Sequence, residues 1–387
     1  MRRSETNIYN NNRIEVVDVL RGFALLGIFL RHFISRFDYS YGTHAHNRFL
    51  SKIDRFIEAA DYHFLLDKTY PIFALLFGFS MFLVEKSSGE KSPTRSFQRL
   101  LSLIPFACLN AIFFPDGDIL GLYVMVGLIV LLFVKLPSKW LPYIAVFFLL
   151  QPLIWIQMVI NLFDGNFSII SYNSSSYIKD VESTIANDTI LDIIWTNLTK
   201  GQIGNFLWAL EVGRISQTIG LILLGFYLGK SGRFEVFIGR GTRNLRYLII
   251  PFLIIIGSMM FGKYALETPV AKEVTLLLSN WSGLSFAFIY IILIIFIYQI
   301  FPAYYFSPLR FYGRMSLTNY ISQSIIGGIL FAPFALNGAA YLSTTSIVVL
   351  FTIVTVGQIL FSKYWLNKNH YGPLELYWRR MSLYPFK

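Results

Sequence analysis

The sequence predicts an all-α, polytopic integral membrane fold of about ten transmembrane helices with both termini cytoplasmic, and three observations carry that expectation. Apolar runs that approach or exceed the ~20 residues needed to cross a bilayer recur along the chain. Hydrophobic residues fill 55% of the 387 positions and charged ones only 14%, with a mean hydropathy of +0.55, too apolar for a soluble domain. Tyr and Trp gather near the ends of the runs, as interfacial belts require.

The first run, 17–34, follows Arg2 and Arg3 but has no small-residue cleavage site after it, so it reads as a retained span rather than a signal peptide. Runs at 69–85, 100–114, 119–134 and 140–162 complete a first half. A second half holds 205–229, 247–262, 281–300, 316–336 and 343–362. Helix is the assignment that satisfies every backbone group locally in lipid. Residues 35–68 contain His44, His46, His63 and an amphipathic stretch, Phe49 to Leu66, expected to lie on the membrane surface. Ser87 to Pro93 is a flexible linker by composition. Residues 163–204, rich in Asn, Ser and Asp, are expected to form an extracytoplasmic cap on a single transmembrane domain. Cys108 stands alone, which excludes an intrachain disulfide and a cysteine zinc site, and the loop histidines lack a further ligand; no metal is expected.

Charge gives the orientation. With the N-terminus cytoplasmic, Lys and Arg on the inner segments outnumber those on the outer ones by more than two to one, following the positive-inside rule. The formal charge of +11 is thereby explained by cytoplasmic retention, not by nucleic acid.

The first run carries Asp18, Arg21, Arg31 and His32. Ionisable side chains inside a span are costly and usually face a protein interior or a wet cavity. Arg21 and His32 are eleven residues apart, about three turns, so they share one face ~16 Å apart along the axis. In this topology His32 lies near the outer end, as do Asn110, Asp116, Asp118, Asp67 and Lys68, which are expected to line one outward pocket. A histidine with a carboxylate is the minimum for general-base activation of a hydroxyl or amine. Arg21, Arg95, Arg99 and Arg314 collect at the inner ends, a set suited to phosphate. Plainer readings stand beside these. Asp18 and Arg21 can neutralise each other, Arg31 and His32 can snorkel, Arg95 and Arg99 can be topology determinants, and Asp116 and Asp118 can cap the fourth span. Glu211 and Arg214, three apart, can be a structural ion pair.

Val17-Asp18-Val19-Leu20-Arg21-Gly22-Phe23-Ala24-Leu25-Leu26-Gly27-Ile28 resembles the opening signature of the YeiB-like bacterial membrane proteins, domain of unknown function 418. The resemblance continues at Phe73 to Phe79, at Arg99-Leu100-Leu101 leading to Gly117-Asp118-Ile119-Leu120, at Gly313 to Tyr320 with Gln323-Ser324, and at Tyr371 to Glu375. It implies a multi-pass protein of the bacterial cytoplasmic membrane. The family usually has Asn where His32 stands and His where Asn110 stands, so the two residue types are exchanged here. An arginine followed eleven positions later by histidine is also similar to acyltransferase family three, whose core is held to be shared with the lysosomal heparan acetyltransferases.

That likeness implies transfer of an acyl group from cytoplasmic acyl-CoA to an extracytoplasmic hydroxyl or amine, on a small molecule or glycan. His32 is then the general base, Asn110 or Asp118 its orienting partner, and Arg21, Arg95, Arg99 and Arg314 the donor clamp. Arg31, Asp67, Lys68, Asp116 and Asn319 are the candidates for acceptor binding. The rival reading is a transporter or exporter without chemistry, which broken helices near mid-bilayer would favour. Membrane lipid is the expected surrounding, and a homodimer is compatible with the aromatic outer faces.

Overall fold

A computed structural model describes residues 14–39, 51–88, 92–114, 119–163, 174–187, 189–265 and 270–383, and these are helices and connecting turns, with no strand among them. Helix α1 (Glu15–Ile34) realises the first run, with Glu15 and Asp18 in its first turn and Arg31 and His32 in its last, the arrangement that opposes the helix dipole. The chain then turns through three consecutive left-handed residues, Arg36, Phe37 and Asp38. Packing offsets the strain: the Phe37 ring is buried among Phe33, Phe114 and Phe331.

Helix α2 (Lys52–Phe64) starts at a capping box in which Ser51 and Asp54 satisfy each other's backbone N–H groups. It is the amphipathic stretch expected from the sequence, but its acids turn inward. Asp54 and Asp61 are buried while Ile53, Phe56, Tyr62 and Phe64 are exposed, the polarity of a helix lying at a lipid boundary.

Helices α3 (Tyr70–Ser88), α4 (Ser92–Leu101), α5 (Ile104–Phe113) and α6 (Ile119–Phe133) follow. Next come α7 (Leu141–Leu149) and α8 (Pro152–Asn161), bent by 42° at Gln151, whose left-handed backbone (φ 63) precedes the helix-starting Pro152. Then α9 (Ser174–Asn187), α10 (Ile190–Thr196) and α11 (Gln202–Glu211) run to a second break at Gly213 (φ +76), where the chain turns 78° into α12 (Arg214–Lys230). The expected runs 140–162 and 205–229 are therefore each divided. The rest is α13 (Arg233–Gly239), α14 (Ile249–Ala265), α15 (Ala271–Ile300), α16 (Ser307–Arg314), α17 (Ser316–Phe331), α18 (Gly338–Tyr341), α19 (Thr344–Lys368) and α20 (Pro373–Leu383).

By length and composition five helices can cross a membrane, or seven if each bent pair is one span, against the ten expected. The expected runs 17–34 and 119–134 are helical as well, and 316–336 is helical as far as Phe331. However, α1 carries four charged residues, and α6 and α17 are only 15 and 16 residues long.

Glycine sets how closely the helices pack. On α3 and α12, a Cβ at Gly78 would overlap the Ile222 carbonyl and one at Gly225 the Leu75 carbonyl, so these backbones touch where a side chain cannot fit. Gly22 of α1 and Gly313 of α16 meet in the same way, since a Cβ at Gly313 would lie 2.6 Å from the Gly22 nitrogen. Two stretches that carry the family resemblance are thus in backbone contact. Helix α12 is enclosed by α3, α6 and α7, and most of its residues are buried.

Candidate functional site

Polar side chains concentrate in two layers, one toward the Arg21 end of α1 and one toward its His32 end. In the Arg21 layer, the guanidinium donates to Asp18 Oδ1 at 3.2 Å and to the Ser80 hydroxyl of α3 at 2.5 Å. Asp18 is 2% exposed, so the short-range pairing expected within α1 does neutralise a buried acid. Arg99 of α4 has no such relief. No carboxylate pairs with it among the described residues; its guanidinium stacks on the Trp378 ring, 4.2 Å from the centroid, within electrostatic range of Arg21 and Arg379. Trp378 of α20 also donates to the Arg99 carbonyl at 2.9 Å. A cavity of ≈ 10 Å³, room for about one water, opens here between Phe77, Ser80, Met81, Val84, Ser96, Arg99 and Leu100. Arg99 is the one cation lining this cavity among the described residues, and with the charges of Arg21 and Arg379 nearby and only Asp18 to offset them the local field attracts anions.

Arg95 and Arg314 stand apart from that pocket. Arg95 donates to Ser88 Oγ at 3.3 Å and Arg314 to the His370 carbonyl at 3.2 Å. Near them Glu375, a residue the motif list contained without a role, accepts from the N–H groups of Leu317 (2.7 Å) and Thr318 (3.1 Å) and from the Thr318 hydroxyl (2.6 Å). It caps α17 and ties α20 to it, joining the Gly313–Tyr320 and Tyr371–Glu375 stretches. Burial pushes its carboxyl above the ordinary value.

In the His32 layer, His32 is half-buried against the rings of Phe114 (4.6 Å) and Phe37 (5.5 Å), and its buried Nε2 has no hydrogen-bond partner among the described residues. Asn110 is fully buried, and its Oδ1 accepts from Ser324 Oγ of α17. Asp116, Asp118, His44 and His46 lie outside the described residues. Arg31 pairs with Asp61 of α2 at 2.9 Å, and burial raises the Asp61 carboxyl although Arg31 pulls it down. Lys68 donates to the carbonyls of Tyr62 (2.9 Å) and Leu66 (2.8 Å).

Asp67 pairs with Arg214 at the start of α12. Burial raises the Asp67 carboxyl, but Arg214 more than offsets this and holds it below the usual range. The Arg214 guanidinium is boxed by the Tyr70 ring at 4.0 Å and the Trp208 ring at 5.2 Å. Glu211 is not its partner. The break at Gly213 sends the two residues apart, and Glu211 caps α9 through the N–H (2.9 Å) and hydroxyl (2.7 Å) of Ser174. Asn319 belongs to a different arrangement, a buried network between α16, α17 and α19. Its amide donates to the Tyr312 carbonyl (3.0 Å) and Ser362 Oγ (3.2 Å), beside Gln358 and Gln323.

Sequence reasoning missed Asp61, Ser80 and Trp378, which complete these clusters from other helices. The sole signal for Asp61 was an acid on the amphipathic stretch. Ser80 and Trp378 carry none, because only tertiary packing brings them to Arg21 and Arg99.

Residues 228–385 match the family described as Protein of unknown function (DUF418). Over 96% of this chain and 94% of its own length, an uncharacterised 39.9 kDa protein in the amylase 3′ region of Bacillus acidopullulyticus is 26% identical. The uncharacterised protein YxaH of Bacillus subtilis (strain 168) is 27% identical over 95% of this chain and 94% of its own. No solved structure matches.

Proposed function

We propose, for a chain whose residues 228–385 match the DUF418 family, a multi-pass membrane acyltransferase that takes its acyl group from cytoplasmic acyl-CoA and delivers it to an outer hydroxyl or amine. In this reading ten spans, including α1, α6 and α17, cross the bacterial cytoplasmic membrane with both termini inside. The observation that carries it is Arg99, a half-buried guanidinium with no carboxylate partner among the described residues, set beside Arg21, Arg379 and two serines at the Arg21 end. A cluster of cations favours a multiply charged phosphate, and arginine's planar fork suits one.

The two layers are separated by the right length for this chemistry. Tyr70 and Ser80 are ten residues apart on α3, ~15 Å along the axis, and Arg21 and His32 are ~16 Å apart. Phosphates held at Arg99 leave an extended pantetheine arm to carry the thioester toward His32. His32 Nε2, open to a new partner, accepts the proton of the acceptor's O–H or N–H. The freed oxygen or nitrogen attacks the thioester carbonyl, the C–S bond breaks, and the thiolate leaves to regain a proton as free CoA. Asn110 or Asp118 orients the imidazole, and Arg95 and Arg314 extend the basic approach. Arg31, Asp67, Lys68 and Asp116 belong to the acceptor side.

The test is acyl-CoA binding to purified protein. Saturable binding weakened at least tenfold by Arg99→Ala and kept by His32→Ala is expected. No binding of any CoA thioester at millimolar concentration rejects the reading.

Transport without chemistry is the second reading, and one observation favours it. The breaks of the two bent pairs meet, with the Gln151 side chain packed against Gly213, and discontinuous helices of this kind build substrate sites in transporters. Uptake of a labelled solute into proteoliposomes, with release of no CoA, selects it.

A further inference from the structure

Helix α15 begins with a buried acid that neither reading of function uses. Glu273 is 3% exposed, and no Lys, Arg or His pairs with it among the described residues. Its donors are two amides from one face of α8. Gln157 Nε2 and Asn161 Nδ2 each lie 2.9 Å from the same oxygen, Oε1. Oε2 takes no donor among the described residues. Asn161 is itself 8% exposed, and its buried Oδ1 has no hydrogen-bond partner among the described residues.

Among the described residues three facts therefore coincide: a buried acid without a counter-charge, a carboxylate with one oxygen doubly used and the other without a donor, and an amide oxygen of the same cluster without a partner. A buried charge without a counter-charge and a buried acceptor without a donor are each unfavourable. The helix dipole at the start of α15 favours an acid there, but it does nothing for Asn161 Oδ1. A small hard cation answers both deficits at once, because carboxylate and amide oxygens are its preferred ligands. Which end of each amide faces the acid is a matter of the network around it, and Gln157 and Asn161 present oxygens by rotating their amides.

We propose that Glu273, Asn161 and Gln157 form a site for a monovalent metal cation, sodium by size and abundance, at the His32 end of the α8–α15 seam. One charge on the site matches one charge on the ion, which sets it apart from divalent sites that gather several carboxylates.

The experiment is thermal unfolding of the full chain in detergent, with sodium chloride replacing choline chloride at constant ionic strength. A saturable rise in Tm with sodium is expected for the wild type. Glu273→Gln should abolish it, and Asn161→Leu should raise the half-saturating concentration at least tenfold. If Glu273→Gln does not fold, Gln157→Leu, at a half-buried position, carries the comparison, again with weakened saturation expected. Equal Tm in sodium and choline for the wild type overturns the proposal, as does a sodium response left intact in Glu273→Gln or, if that variant does not fold, in Gln157→Leu. A response to calcium at lower concentration than to sodium overturns the monovalent assignment.

Discussion

Replacing Glu375 by alanine tests whether the two C-terminal motif stretches act as one structural joint. The carboxylate accepts three donors at the start of α17: the N–H of Leu317 at 2.7 Å, the N–H of Thr318 at 3.1 Å and the Thr318 hydroxyl at 2.6 Å. Hydrogen bonds to a charged group contribute roughly 1.5–3 kcal/mol each, but bonds sharing one acceptor are not additive. A loss of about 3–5 kcal/mol is expected, since helix-terminal N–H groups regain some partners from water. Glu375→Gln keeps the shape and one acceptor oxygen and should lose less than half as much. The assay is unfolding of both variants in detergent, followed by Trp fluorescence, because Trp378 rides on α20 and should leave Arg99 when the joint opens.

Acidity adds a second readout. Burial raises the folded carboxyl of Glu375 above its ordinary 4.5, so the part of the stability linked to this shift, separate from the hydrogen bonds, is complete below that value and fades as pH climbs through the raised one. The stability difference between wild type and Glu375→Gln should shrink over that window. A Glu375→Ala variant within about 1 kcal/mol of wild type refutes the reasoning, since ordinary surface changes cost about that or less.

Gly225→Ala should cost about 1–3 kcal/mol or more by forcing α3 from α12 at the Leu75 carbonyl, read as a lowered Tm. Arg31→Met leaves Asp61 buried without its partner and should destabilise by about 3–5 kcal/mol, while adding Asp61→Leu should recover most of it in a double-mutant cycle. Asp54→Asn should loosen α2, because Asp54 Oδ1 also accepts from the N–H and hydroxyl of Thr345 at 2.7 Å each. Faster amide exchange confined to α2 and the first turn of α19 is the expected signature.

The apolar runs made the helical character plain, and Asp18 with Arg21 was legible because helical spacing alone brings them together. The division of 140–162 was foreshadowed by Pro152, yet a left-handed Gln151 before it follows from contact with Gly213 across the bundle, not from local propensity. Glu211 and Arg214 show the limit of such spacing arguments. One glycine between them breaks the helix, and each acquires a distant partner, Ser174 or Asp67. The anion pocket was half legible: Arg21 and Arg99 were in view, whereas Arg379, Ser80 and Trp378 join them through packing over long sequence separations. Arg95 and Arg314 shared its charge and depth but point to Ser88 and His370 instead.

The enclosure of α12 has a consequence for how the chain assembles. Its neighbours α3, α6 and α7 all precede it in synthesis, so the faces carrying Gly78, Ala145 and Leu149 emerge before the helix they are shaped to hold. Until residue 230 is made, the contacts of these faces with α12 cannot form. The last of the four helices to arrive is thus the one at the middle, and the bundle closes from its centre rather than its rim.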